Sequence, residues 1–461
     1  MTLFTPGENY HLVGIGGSGM SGLARIMLAN RVTISGSDLH ENEEVLQLRE
    51  AGVKINLGHD PDCIDERLDG VIVSSAISED NVEVQAARAR DLPVVRRLHA
   101  LASLLNGYHS IGVAGTHGKT TTTAMIATIL GRLTWDPSYL VGAHCPGLRG
   151  NAHLGRGDMF VTEVDESDGL FLALHPTIAV LNNIGRDHLT TYKDLSAIKD
   201  SFSQYLHQAE RAVLQIDDPH VRALANKTPE VLTVGTCAEA ALRATGVVHH
   251  HFHTRFDLNF HGERIGPVFL PAPGDHNVRN ALCAIGAAFL AGVDLAEAAA
   301  ALTGFRLPRR RFQLLEENGV TVVDDYAHLP EEIEATLQAI RDGWERRRIV
   351  AIFQPHRYTR TRFLNAEFGN AFIGADEIVV TSIYPADERP IPGVSSRMIA
   401  DAIAGSSGIN PHLIRSKEEV LSFLKKLVEP GDFIISFGAG DIWTVTEELS
   451  CFLKEGRFCM V

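Results

Sequence analysis

Short apolar runs recur along the chain, each followed by a glycine-bearing or polar turn and then a stretch with helical spacing. The first section carries His11-Leu12-Val13, Val32-Thr33-Ile34 and Val71-Ile72-Val73, with a helical pattern over residues 20–29. A second series begins at Ser110-Ile111-Gly112-Val113-Ala114. It continues through residues 160–164, 178–181, 212–216 and 231–234, and closes with a helix over 278–290. A third starts at Val320-Thr321-Val322-Val323, passes into a helix running from Pro330 toward Ile340, and resumes at Ile349-Val350-Ala351-Ile352-Phe353. Strands alternating with helices predict an α/β protein built on largely parallel sheets.

The helical pattern that ends near Leu105-Asn106-Gly107 and the proline-containing basic stretch Leu307-Pro308-Arg309-Arg310-Arg311-Phe312 mark two boundaries. The expected domains are a Rossmann-like one over 1–106, a central P-loop ATPase-type α/β domain over 107–308, and a C-terminal Rossmann-like α/β domain over 309–461. At 461 residues the chain exceeds what one core serves, which agrees with three. His249, His250, His251 and His253 are expected on the solvated face of one strand, because the residues from His251 to Phe260 alternate.

A net charge of −15 argues against a nucleic-acid partner, which calls for a basic face. Met1 to Tyr10 lacks a basic segment followed by an apolar one, and no apolar run reaches about 18 residues, so a cytoplasmic protein without membrane insertion is expected. The six cysteines form no Cys-x-x-Cys pair and read as free thiols.

Gly14-Ile15-Gly16-Gly17-Ser18-Gly19 lies between a strand and a helix, where glycines let the backbone approach a pyrophosphate at a helix N-terminus. A nicotinamide dinucleotide would use Asp38, but Asp38 follows Ser35-Gly36-Ser37 instead of directly capping its strand, and any nucleoside diphosphate suits the turn. Gly115-Thr116-His117-Gly118-Lys119-Thr120-Thr121 carries Gly-Lys-Thr in the same frame. It predicts a triphosphate site in which Lys119 reaches the β and γ oxygens and Thr120 joins a Mg2+ shell. Strict P-loop spacing would put glycine at Val113, so the loop is a variant. Glu163 and His188 follow neighbouring strands and are candidate metal ligands; the carboxylate is the natural one for Mg2+, and each also has a structural or surface reading.

In the third section, Asp324-Asp325-Tyr326-Ala327-His328 and Gln354-Pro355-His356-Arg357-Tyr358-Thr359-Arg360-Thr361-Arg362 follow strands. The three arginines suit a carboxylate or phosphate. Residues 382–386 and 436–441 are expected to complete the same sheet edge.

Taken together, these stretches and Gly274-Asp275-His276-Asn277-Val278-Arg279-Asn280 resemble the Mur ligase family over nearly the whole chain, in the family's order. The resemblance implies ATP-dependent amide-bond formation in peptidoglycan precursor synthesis, with UDP-N-acetylmuramate and L-alanine as substrates, ATP and Mg2+ as cofactors, and a monomer or homodimer. It implies UDP-sugar contacts from Gly16, Gly17, Ser18, Gly19, Asp38, Ser74 and Ser75. ATP would be met by Gly115, Thr116, His117, Gly118, Lys119, Thr120 and Thr121, together with His276, Asn277, Asn280 and Asp325. Thr120, Glu163 and His188 would hold the metal. Tyr326, His328, Arg357 and Arg360 would face the amino acid, with Lys119, His328, His356, Arg357 and Arg360 serving the chemistry. Two departures stand out: Leu329 where the family often has a second histidine, and Gly185-Arg186 where Glu-Pro is usual. The family's carbamylated lysine is assigned to neither Lys193 nor Lys199.

Overall fold

The computed structural model describes residues 4–167, 169–186, 191–225, 230–317, 319–386 and 388–455. They form two compact units, one of Met1–Val247, Arg255–Leu270 and Val278–Arg306, the other of Val248–Thr254, Pro271–Asn277 and Leu307–Val461. Three sheets organise them, and the parallel α/β grammar expected from the apolar runs is what the chain adopts. Among the described residues no helix is long and apolar enough to cross a membrane.

The N-terminal sheet is wholly parallel, in the order Lys54–Leu57, Thr33–Asp38, Asn9–Val13, Gly70–Val73, Val94–Arg96. Strand order reverses at Asn9–Val13, so a crevice opens where that strand and Gly70–Val73 end, at Gly14 and Ser74. Period-two alternation sends Tyr10 and Leu12 to one face and His11 and Val13 to the other. Tyr10 and Leu12 join one core cluster; Val13 joins a second with Val71, Val73 and Val84.

That second face also holds a buried polar network. Glu83, from the helix Val82–Ala89, accepts from Ser37 Oγ at 2.5 Å and from the Asp60 N–H at 3.2 Å, and lies 2.9 Å from His59 Nδ1 and 3.6 Å from His11 Nε2. Burial pushes the Glu83 carboxyl up, but these partners more than offset it and hold it below its ordinary value. Removing one member of such a network strands the rest. Glu83→Ala is expected to destabilise this region by about 3–5 kcal/mol, read as lost hydrogen-exchange protection in Asn9–Val13.

The second sheet has ten strands, ordered Glu263–Leu270, His253–Phe260, Leu242–His250, Val231–Gly235, Arg211–Gln215, Ile178–Leu181, His109–Ala114, Met159–Glu163, Ser138–Leu140, Ala152–His153. Its centre is parallel, and His109–Ala114 lies between Ile178–Leu181 and Met159–Glu163. The histidine run differs from expectation. Leu242–His250 and His253–Phe260 are separate neighbouring strands, and His251, at φ 49°, sits in the turn between them. Alternation alone does not reveal a two-residue connection, because the residues on both sides of it alternate as well.

The third sheet runs Gln313–Glu316, Thr321–Asp325, Phe433–Phe437, Ile349–Phe353, Glu377–Val380, His412–Leu413, parallel except for its first pair. Alternate residues feed two cores, with Val323, Ala351 and Phe353 on one side and Val322, Val350 and Ile352 on the other. Strands buried on both faces read as continuous apolar runs, which is why the sequence pattern located them.

Candidate active site

The first turn follows Asn9–Val13 and leads into the helix Ser18–Ala29, which begins at Gly17 without a side-chain cap. Gly14 has φ 78°, and a Cβ there would come 3.0 Å from Ser74 Cβ, so the turn and Ser74 are in close contact. Asp38 proves to be the last residue of its strand, a correction to the expected offset. Strand pairing with Lys54–Leu57 extends through Ser35-Gly36-Ser37 despite the low β preference of glycine. The Asp38 carboxylate accepts from the Gly16 N–H at 2.8 Å and the His40 N–H at 3.1 Å, so it props the turn. Gly19 lies under Arg97, whose guanidinium would be 2.9 Å from an added Cβ. Ser75 is exposed.

The second turn leaves His109–Ala114 and enters the helix Lys119–Arg132 with Gly118 as its left-handed N-cap, φ 81°. Two asparagines after Ile178–Leu181 brace it. Asn183 Oδ1 accepts from the His117 N–H at 2.7 Å, Asn183 Nδ2 donates to the His117 carbonyl at 3.0 Å, and Asn182 Nδ2 donates to Thr122 Oγ1 at 3.0 Å. The Gly185 N–H donates to Thr116 Oγ1 at 2.7 Å, so one of the two unusual residues in this stretch supports the loop. Asn280 reaches the same place: a Cβ on Gly118 would lie 2.3 Å from Asn280 Oδ1.

Lys119 and Thr120 each meet a carboxylate. Lys119 Nζ lies 2.9 and 3.1 Å from the oxygens of Glu166, and Thr120 Oγ1 donates to Glu163 Oε2 at 2.8 Å. Burial pushes the Glu163 carboxyl up despite Thr120 and Lys119. Burial opposes the charge on Lys119 as well, but Glu166, Asp165 and Glu163 raise the ammonium above its ordinary value. A half-buried carboxylate beside a threonine hydroxyl at a phosphate-type loop is the hard-oxygen donor pair that suits Mg2+. His188 lies outside the described residues, and among those described no cluster of three or more His, Cys, Asp or Glu has metal-binding geometry.

His276 and Asn277 belong to the first turn of the helix Asp275–Leu290, which starts three residues earlier than the apolar spacing suggested. Asn277 Nδ2 donates to the Pro273 carbonyl at 2.7 Å and lies 3.1 Å from His276 Nε2.

In the other unit, Tyr326, His328, His356, Arg360 and Tyr384 gather at the ends of Thr321–Asp325 and Ile349–Phe353. The Tyr326 ring is covered by the guanidinium groups of Arg310 and Arg311 at 5.2 and 4.9 Å. His328 meets the Tyr326 ring edge-on at 5.3 Å and the His356 ring at 5.6 Å, and His356 stacks on Tyr384 at 5.7 Å. Arg360 donates to His356 Nδ1 at 2.9 Å, which makes that nitrogen the acceptor. Arg357 is exposed and holds φ 71° as the N-cap of the helix Tyr358–Ala371, a strained position secured by its N–H bond to the Tyr384 carbonyl at 2.8 Å. Leu329 is buried in the core with Ile333 and Leu337, so an apolar side chain there packs inward behind His328. Glu332 accepts from the His328 N–H at 2.9 Å and seats the loop.

Asp325 supports this loop from below. Its oxygens accept from the Phe312 N–H at 2.8 Å and the Ala327 N–H at 2.7 Å, and burial raises its carboxyl to about 6 despite Arg311 and those bonds. With the folded value above the unfolded one, its stabilising contribution is present in acid and is lost as pH rises through about 6. Between pH 4 and 7 this one group is expected to cost roughly 2–3 kcal/mol. Asp325→Asn should flatten that slope, as measured by urea unfolding at the two pH values; an unchanged slope contradicts the assignment.

Sequence reading missed Asn182, Asn183, Gly142, Glu166 and Glu332. The asparagines carried a usable signal, since they directly follow a strand that neighbours the loop strand. Gly142 and Glu166 did not, because their roles depend on what they touch.

Three family models match the chain in order: "Mur ligase family, catalytic domain" over residues 9–109, "Mur ligase middle domain" over 113–288, and "Mur ligase, glutamate ligase domain" over 310–440. The UDP-N-acetylmuramate–L-alanine ligase of Pelobacter propionicus is 41% identical over 454 residues, covering 97% of this chain and 98% of that protein. The enzyme of the same name from Geotalea uraniireducens is 42% identical over 452 residues, with 97% and 98% covered. The crystal structure of the UDP-N-acetylmuramate-alanine ligase from Thermotoga maritima superposes with a TM-score of 0.83 at 31% identity, covering 97% of this chain and 99% of that one. A murein peptide ligase from Psychrobacter arcticus shares the fold, with a TM-score of 0.72 at 24% identity and 99% and 100% covered.

Proposed function

The chain belongs to the Mur ligase family, and from that premise we propose that it joins L-alanine to the lactyl carboxylate of UDP-N-acetylmuramate, splitting ATP to ADP and phosphate. The observation that carries the reading is the variant P-loop, with Lys119 on the buried Glu166 carboxylate and Thr120 on the half-buried Glu163 carboxylate, in a chain full-length similar to proteins named for this reaction.

A carboxylate and an amine do not condense unaided at neutral pH, because hydroxide is a poor leaving group. The lactyl carboxylate attacks the γ-phosphorus of ATP and ADP leaves, giving an acyl phosphate. Alanine's uncharged amine then adds to the acyl carbon, the tetrahedral intermediate expels phosphate, and the amine proton passes to solvent or to a nearby base.

Each group of residues has a part in this. The turn at Gly14–Gly19, with Ser74 and Ser75 beside it and Asp38 holding it in shape, takes the UDP portion at the open N-terminus of Ser18–Ala29. Backbone N–H groups of Gly115–Thr121 and the Lys119 ammonium offset charge on the transferred phosphoryl group. Asn280, beside Gly118, and His276 and Asn277 serve the adenine. Thr120 and Glu163, with His188, would hold Mg2+, which would supply charge neutralisation on the phosphates. Arg357 and Arg360 hold the alanine carboxylate, with Tyr326, His328 and His356 lining its place. The enzyme acts in the cytoplasm as a monomer or homodimer.

The test is phosphate release by the purified chain with ATP, Mg2+ and UDP-N-acetylmuramate, with and without L-alanine, followed by mass analysis. Alanine-dependent release and a product heavier by one alanyl residue are expected. Release only with another amino acid or a peptide would move the chain to a sister activity, and release without any acceptor would refute ligation.

A further inference from the structure

The proposed reaction assigns no role to the carboxylate that holds the P-loop lysine. Lys119 Nζ donates to the Gly115 carbonyl at 2.6 Å and to both Glu166 oxygens, so the ammonium is turned back onto its own loop. The Glu166 side chain is only 4% exposed. Its backbone is fixed in turn, because the Tyr192 hydroxyl donates to the Glu166 carbonyl at 2.8 Å. A partly buried ammonium without a counter-charge is costly, and Glu166 offsets that cost when no phosphate is present.

We propose that Glu166 is a positioning residue for nucleotide binding: an internal counter-ion that holds Lys119 in the nucleotide-free protein and yields it to the incoming triphosphate. This rests on reading Gly115–Thr121 as a triphosphate loop. Because the phosphates must compete with a neighbouring carboxylate for the same ammonium, Glu166 sets the affinity below what the loop itself could reach. Nucleotide release is correspondingly assisted, since Glu166 can recapture Lys119 as the phosphates leave.

The inference is tested by calorimetric titration of the full chain with Mg2+ and the non-hydrolysable β,γ-imido analogue of ATP. The proteins compared are wild type, Glu166→Gln, Lys119→Met and the double variant. Glu166→Gln should bind about tenfold more tightly than wild type. In the Lys119→Met background the same substitution should change affinity by less than about twofold, because the group through which Glu166 acts is gone. The KM for ATP should fall in Glu166→Gln without a rise in kcat, a split that a merely structural residue would not produce. Absence of binding by the wild type would overturn the reading of the loop itself. Wild-type binding with equal or weaker binding by Glu166→Gln would overturn the counter-ion role alone, as would equal tightening in the Lys119→Met background. Should Glu166→Gln not fold, Glu166→Asp, which keeps the charge but lengthens the ion pair, must tighten binding by about threefold, and unchanged affinity there overturns the proposal.

Discussion

Lys119→Ala should lower kcat for ligation by about a thousandfold with all substrates saturating, because the charge developing on the transferred phosphoryl group loses its ammonium. The same substitution leaves Glu166, a buried carboxylate, without the cation it faces at 2.9 Å. The phosphates also lose a cationic partner, so the KM for ATP should rise as well. Steady-state phosphate release checks both parameters, and near-normal kcat would remove Lys119 from the chemistry. The turnover loss should persist at saturating ATP, which separates it from an affinity effect.

The second large effect is expected at Gly142, just beyond the strand Ser138–Leu140. A Cβ at this position would lie 2.0 Å from Glu163 Oε1, 2.7 Å from its carboxyl carbon and 2.8 Å from Oε2. The Glu163 carboxylate therefore rests directly on the Gly142 backbone. Gly142 is not among the positive-φ glycines, so alanine fits the backbone conformation and acts only by pushing Glu163 away from Thr120. Gly142→Ala should reduce kcat/KM by about a hundredfold at limiting Mg2+ and recover partly as Mg2+ is raised. Pairing it with Glu163→Asp, shorter by one methylene, should restore part of the loss. A Gly142→Ala protein with unchanged Mg2+ dependence would show that Glu163 does not hold the ion from this seat.

These two residues differ in how visible they are in the sequence. Lys119 stands in a Gly-Lys-Thr string after an apolar run, and the strand, turn and helix around it follow from periodicity and glycine placement. Gly142 stands in Val141-Gly142-Ala143, with nothing local to mark it. The same contrast holds in the other unit. The arginine density after Ile349–Phe353 is readable, whereas the stack of Tyr326, His328, His356 and Tyr384 joins residues up to 58 positions apart and depends on which strands become neighbours. Where local reading went astray, at Asp38 and in the histidine run, a strand boundary was at issue. Pairing with a neighbour extended Thr33–Asp38 to the acid, and a two-residue turn split the alternating histidine stretch.

The chain's α/β class and its strand-turn-helix motifs, the two glycine-rich turns among them, were determined by the sequence alone, because apolar periodicity, glycine conformation and helix N-termini act over a few residues. Only the tertiary structure decided which carboxylate faces Lys119, which glycine seats Glu163, and that Leu329 turns into the core beside a half-buried ring cluster. Burial and pairing set those outcomes, and both arise from segments far apart in the chain that become neighbours when parallel strands assemble in an order other than that of the sequence.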